Sequence, residues 1–211
     1  MNDINHLVEM LATEASPVRP APSPLILSLK LMGTATVYLA LSLAVSGLRP
    51  DLMEKLHTFW FAAEIALLIL IFASTSISVA LLGFPDLHQN PGATYAPAAV
   101  FIVFLAVMFF AWNADTPPAP LPMHSIECTL GITLVSILPA IWTFYAIRQY
   151  ASTHQQLAGS IALLSSFSVG ALWLRLHELN DSVIHLIQWH YLPMLGIGIL
   201  GIGLGKVLLR W

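Results

Sequence analysis

The sequence predicts an all-α, polytopic membrane protein: six transmembrane helices, preceded by a short amphipathic helix and a proline-rich arm. Three observations lead there. Only 9% of the residues are charged against 57% hydrophobic, with a mean hydropathy of +0.80. A soluble domain carries roughly a quarter of its residues charged, so lipid must solvate most of this surface. Six apolar stretches reach or approach the ~20 residues a helix needs to cross a bilayer; they lie at about 28–47, 59–83, 96–112, 126–147, 157–176 and 187–208. The sequence also lacks the ten-residue alternation of a membrane β-barrel, which leaves helices to satisfy every backbone amide in hydrocarbon.

The first 24 residues stand apart from the 25–211 bundle. Ile4, Leu7, Val8 and Leu11 follow the i, i+3, i+4, i+7 spacing of a narrow apolar helical stripe. Asn2 or Asp3 can cap this helix, and Pro17 ends it by pushing its predecessor out of the α region. Residues 16–24, "SPVRPAPSP", hold four prolines and predict an extended, semi-rigid spacer. So short a helix is marginal alone in water and needs a surface to cover its stripe. An interfacial helix on anionic lipid would carry Lys or Arg on its polar face, where this one has His6, Glu9, Thr13 and Glu14. A disordered tail is a further reading; the narrow stripe on a stiff arm fits best as a ligand for the groove of a soluble partner. The segment has no apolar core preceded by positive charge, so it is expected to be retained rather than cleaved as a signal peptide.

Span by span, Lys30 lies just inside the first, where its stem can snorkel to the interface. The second carries Glu64 some five residues deep. The third is the shortest, "APAAVFIVFLAVMFFAW". The fourth opens on "ECTLGITLVSILPA", with the lone Cys128, and the fifth ends at Arg175. The sixth opens around Trp189–His190 and contains "GIGILGIGLG", in which Gly198, Gly201 and Gly205 share one face. Such a face serves close packing inside a bundle or between two copies, so a homodimer stays open. The intervening loops are too short to fold as catalytic domains.

Charge sets orientation. With the N-terminus inside, Arg19, Lys30, Arg148, Lys206 and Arg210 fall on the cytoplasmic side and Arg49, Lys55 and Arg175 on the other. That majority places both termini in the cytoplasm. A net charge of −3, with no basic run and no phosphate-cradling glycine loop, gives no footprint for direct nucleic-acid binding.

Several side chains can carry chemistry. An intramembrane carboxylate such as Glu64 faces a partner or the bundle interior; Arg175 or a histidine can pair with it, and Arg175 can alternatively meet Asp181. Cys128, without a second cysteine, cannot form an intramolecular disulfide. It reads as a packed small residue, as an intermolecular disulfide partner, or as one ligand of a metal site with His124, Glu127, His177, Glu178 or His185. His185 and His190 are five apart, on different faces of a continuous α-helix, and Trp189–His190 suits an interfacial belt.

The segments "LVEMLATEASPVRP", Glu64, "ECTLGITLVSILPA", "THQQLAGS", "LHELNDS", "WH" and the terminal "LLRW", in this order, make the chain resemble the NrsF-type membrane anti-sigma factors. The resemblance implies a six-span protein of the bacterial inner membrane, with no enzymatic activity and no cofactor. Its cytoplasmic N-terminal segment would restrain an extracytoplasmic-function sigma factor until an envelope signal arrives. It places the sigma-binding contacts on Leu7, Val8, Leu11, Val18, Arg19 and Pro20, and signal sensing on Glu64, Cys128, His177, Glu178 and His190. Arg19 serves equally as a partner contact or as a positive-inside charge. In the family a second cysteine is expected after the histidine of "LHC"; here that place is Glu178, so a thiol pair within one chain is not available. The alternative function is a small transporter or channel using Glu64 and the interfacial histidines; a haem or quinone oxidoreductase is a third, with histidines at span ends rather than deep in paired helices.

Overall fold

The computed structural model describes residues 2–14, 21–85, 90–114 and 125–210, and all regular structure among them is helical. Six helices are long and apolar enough to cross a membrane. They are α2 (Pro24–Ser46), α4 (Phe59–Leu82), α5 (Pro91–Ala114), α6 (Ile126–Arg148), α7 (Gln155–His177) and a last span, Val183–Leu208. That last span comprises a short α8 (Val183–His185), a π-helical stretch (Leu186–Tyr191) and α9 (Leu192–Leu208). Before the bundle comes α1 (Asn2–Glu14), and α3 (Leu52–Leu56) fills the loop between α2 and α4.

The boundaries differ from the sequence reading for local reasons. α2 begins four residues early because Ser23 caps Ile26 N at 3.4 Å and Pro24 takes the first helical position, where its missing N–H costs nothing. Pro24, read from sequence as the end of the extended spacer, therefore opens a span. Pro91 is the first residue of α5, and Pro97 is accommodated inside it. α2 ends at Gly47, whose φ of +86° lies in the region that favours glycine.

α7 is the axis of the bundle, the most enclosed of the spans, with α9, α6, α4 and α2 packed around it. Many of its buried residues are small ones, among them Ala158, Gly159, Ala162, Ser165, Ser166, Gly170 and Ala171, set among larger ones such as Phe167 and Leu172. In lipid no hydrophobic effect pulls helices together, so backbone approach and interhelical hydrogen bonds must do it. Gly159 meets Gly201 and Gly205 of α9, and a Cβ on Gly201 would stand 2.6 Å from Gly159 O and from Ser160 Cα. Gly170 lies as closely against Ile132 of α6. The sixth-span glycine face is thus occupied by α7 and is not free for a second copy. Ser76 of α4 and Ser165 of α7 share a hydrogen bond at 3.0 Å, and Ser78 donates to Thr94 O of α5 at 3.2 Å.

The outer surface is apolar. Leu41, Val45, Ile102, Phe110, Leu134, Ile141, Ile199 and Leu200 are all exposed, far more contiguous apolar surface than a water-solvated monomer presents. α1 is different in kind: Ile4, Leu7, Val8, Met10 and Leu11 are exposed on a helix that also carries charge.

A side chain added at the α7–α9 contact should therefore loosen the bundle. Gly201→Ala is expected to lower stability by about 1–3 kcal/mol through overpacking. Gly203→Ala, with nothing within 4 Å of the new Cβ, should be neutral or gain roughly 0.5–1 kcal/mol from the lost flexibility of glycine. Thermal unfolding of the two variants in detergent compares them directly.

Candidate functional site

The buried charged and imidazole side chains among the described residues gather at one end of the bundle, where α2 finishes, α4 begins and α7 meets the last span. Its construction starts at Gly47, where the chain turns out of α2 and lies against the end of α7. Trp173 Nε1 donates to Ser46 Oγ at 2.9 Å, His177 Nδ1 donates to Gly47 O at 2.9 Å, and Arg49 N donates to Leu176 O at 3.0 Å. These bonds put the Arg49 side chain, fully enclosed, over the 178–182 loop.

There Asp181 receives three cations. Arg49 forks onto it through Nη1 at 2.9 Å and Nη2 at 3.0 Å, Lys55 Nζ reaches it at 2.7 Å, and Arg175 Nη1 at 2.8 Å. Arg49 also forks onto Asp51, at 2.7 and 2.9 Å. Arg175 turns its Nε to Glu64 Oε1 at 2.9 Å, and Tyr191 donates its hydroxyl to the same oxygen. The Phe61 ring lies under both guanidiniums, 5.1 Å from Arg49 Cζ and 4.6 Å from Arg175 Cζ. Three cations thus meet three carboxylates, a formally neutral group that satisfies its own hydrogen bonds. Burial by itself would raise the Asp181 carboxyl, but the hydrogen bonds from Arg49, Lys55 and Arg175 outweigh it and hold it well below the usual carboxylate range.

A second cluster sits beside the first, joined through the 178–182 loop and the π-helical stretch. Cys128 Sγ, near the start of α6, lies 3.5 Å from Glu178 Oε1 and 3.7 Å from His185 Nε2. His185 Nε2 is 3.5 Å from Glu178 Oε1, and His190 Nε2 is 3.1 Å from Glu178 Oε2. Burial pushes the Glu178 carboxyl up, yet the imidazoles of His190 and His185 and the Cys128 thiol bring it below its ordinary value. The two histidine rings stand 5.1 Å apart, edge to face, and both are buried.

This corrects two sequence expectations. Residues five apart are about 140° apart around an α-helix, but the π-helical turn through Leu186–Tyr191 brings His185 and His190 to one side. His190 is also wholly enclosed rather than placed in an interfacial belt. The cause lies at Pro193: it has no N–H to offer Trp189 O, and Thr129 Oγ1 of α6 supplies the missing bond at 2.6 Å.

Of the candidate residues, Glu64 pairs with Arg175, which also meets Asp181, so both pairings open to Arg175 in the sequence are made at once. Cys128, Glu178 and His185 come together, with His190 added. His177 turns away to Gly47 and stacks on Trp173, while Glu127 is exposed. His124, Val18, Arg19 and Pro20 lie outside the described residues. Sequence reasoning missed the roles of Arg49, Lys55, Asp51 and Tyr191; the first two served there only as topology charges.

A bundle of six membrane-length helices, locked at one end by a charge network and preceded by an exposed helix, defines a multi-pass membrane protein. The chain belongs to the NrsF family, described as negative regulator of sigma F, whose model matches residues 11–211. That match takes in the whole bundle and begins inside α1. No match was found among curated proteins or among solved structures.

Removing one member of the charge network should be costly. Arg175→Leu strands Glu64 and is expected to destabilise the protein by about 3–5 kcal/mol, with Glu64→Leu/Arg175→Leu losing less than the sum of the single changes. Denaturant or thermal unfolding of the four proteins measures that cycle. Because Asp181 is depressed in the folded state, its contribution is fully present above the unfolded carboxylate value of about 3.9 and is lost as pH falls below it. The melting temperature should fall steeply below about pH 4, and Asp181→Asn, less stable at neutral pH, should show a shallower fall.

Proposed function

We propose that this chain is a membrane anti-sigma factor: α1 and the following arm hold an extracytoplasmic-function sigma factor away from RNA polymerase, and the bundle keeps the complex at the bacterial inner membrane. The observation that carries the reading is α1 itself, a 13-residue helix whose described apolar side chains are all exposed, in a chain whose family is one of negative regulators of a sigma factor. Leu7, Val8 and Leu11 form the binding stripe, with Val18, Arg19 and Pro20 continuing the contact; residues 1–24 then act as one unit and 25–211 as another. A helix this short gains order on binding, which lowers net affinity by a few kcal/mol and keeps the grip reversible.

The excess of Lys and Arg on one side supports cytoplasmic termini, and with them a polar end, carrying Glu64, Cys128, His177, Glu178 and His190, that faces the envelope. An envelope signal received there changes the hold of α1 and frees the sigma factor. The transporter reading gains no support from Glu64, whose carboxylate is engaged by Arg175 and Tyr191.

Full-length protein in detergent should co-purify a sigma factor. Burying a leucine is worth about 1.5–3 kcal/mol, so Leu7→Asp or Leu11→Asp should weaken capture at least about tenfold. Deleting residues 2–14 should raise sigma-dependent transcription in cells. Unchanged transcription, together with no sigma factor captured by the intact protein, would sink the reading.

A further inference from the structure

The geometry points to a binding site for one zinc-like divalent cation formed by Cys128, Glu178, His185 and His190. One ligand atom from each residue lies within 4.8 Å of all the others. In a tetrahedral zinc site with bonds of about 2.0–2.3 Å, neighbouring ligand atoms stand about 3.3–3.8 Å apart. The separations of 3.5 Å from Cys128 Sγ to Glu178 Oε1, 3.7 Å from Sγ to His185 Nε2 and 3.5 Å from His185 Nε2 to Glu178 Oε1 are edges of that size. His190 Nε2 lies 3.1 Å from the other oxygen of the same carboxylate, Oε2, and within 4.8 Å of the remaining ligand atoms, which leaves it placed as the fourth ligand.

The orphaned histidine nitrogens are a second, independent observation. His190 is completely buried, its Nε2 is aimed into the cluster, and neither ring nitrogen makes an aligned hydrogen bond; His185 Nδ1 is likewise unpartnered. A buried polar atom left without a partner costs about 1–3 kcal/mol. In the cluster as it stands His190 Nε2 approaches Glu178 Oε2 to 3.1 Å without an aligned hydrogen bond. A cation among the four groups uses the Nε2 lone pairs of both rings. The thiolate and the carboxylate together supply two negative charges, matching a divalent ion, and the thiol proton passes to solvent as the sulfur–metal bond forms. Mixed sulfur, nitrogen and oxygen donors suit zinc better than calcium or magnesium.

Neither Nδ1 atom meets an acceptor, so the site lacks the outer hydrogen bonds that usually orient metal-bound histidines, each worth 10–100-fold in affinity. The ion is therefore exchangeable, not a permanent structural zinc. It ties together three separate segments: the start of α6, the loop after α7, and the last span from α8 into the π-helical stretch. This inference does not rest on the sigma-factor reading.

The test uses the full chain in detergent, purified without a polyhistidine tag, stripped with chelator and titrated with Zn2+ against a chromophoric competitor. Uptake should saturate at one equivalent per chain and raise the melting temperature. Co2+ should give a thiolate-to-cobalt charge-transfer band. Cys128→Ser should abolish that band, and Cys128→Ser and His190→Gln should each weaken Zn2+ binding at least tenfold, with the exposed His57→Gln unchanged. Wild-type protein that takes up no Zn2+, or that binds Co2+ without the band, overturns the site whatever the folding of the variants; so does wild-type Zn2+ affinity in folded Cys128→Ser.

Discussion

An arginine cannot be left unpaired in hydrocarbon, and Arg175 sits 2% exposed at the end of the most enclosed helix. The rest of the polar end follows from that constraint. Glu64 from α4 and Asp181 from the next loop both bond to the guanidinium, which fixes α4 against α7 and folds the loop back over the bundle. Asp181 in turn draws in Arg49 and Lys55, and so secures the end of α2 and the α3 turn. Gross attraction in such a group is largely offset by desolvation, so its contribution is one of uniqueness: few alternative helix arrangements leave all six charges matched.

The two polar clusters share their supports. The loop that presents Asp181 to the arginines presents Glu178 to Cys128 and the histidines. The π-helical stretch sends Tyr191 to Glu64 and the adjacent His190 toward Glu178. π-Helical turns of this kind are found mostly inside α-helices and often at functional sites. Pro193 removes one rung of the ladder and Thr129 replaces it from a neighbouring helix. The two clusters are thus joined through both the 178–182 loop and the π-helical stretch.

The span count and their approximate positions were legible in the sequence because composition and run length are strong, local signals. The Glu64–Arg175 pair was legible as one of several pairings, since opposite charges near the same membrane face have few partners. The gathering of Cys128, Glu178 and His185 was within reach of the same reasoning about depth. The place of His190 was not: a helical wheel assumes 3.6 residues per turn, and nothing in "HLIQWHY" announces a wider turn until Thr129 is known to meet Trp189 O. Arg49 was hidden for another reason, because a loop charge beside Pro50 looks solvated until the ends of α2 and α7 are seen to meet. The stripe on α1 was evident from spacing, and the structure leaves it exposed.

The wider turn at Leu186–Tyr191 has a consequence for the last span as a whole. A π-helical turn is in effect an α-helix with one residue too many, and each surplus residue rotates everything beyond it by about 100°. The glycines of α9 are thereby phased independently of the histidines that precede them. Gly201 and Gly205 can face α7 while His185 and His190 face Glu178, although no single α-helical register does both. One inserted residue lets a single span obey two packing patterns, tight backbone contact along α9 and a polar cluster at its start.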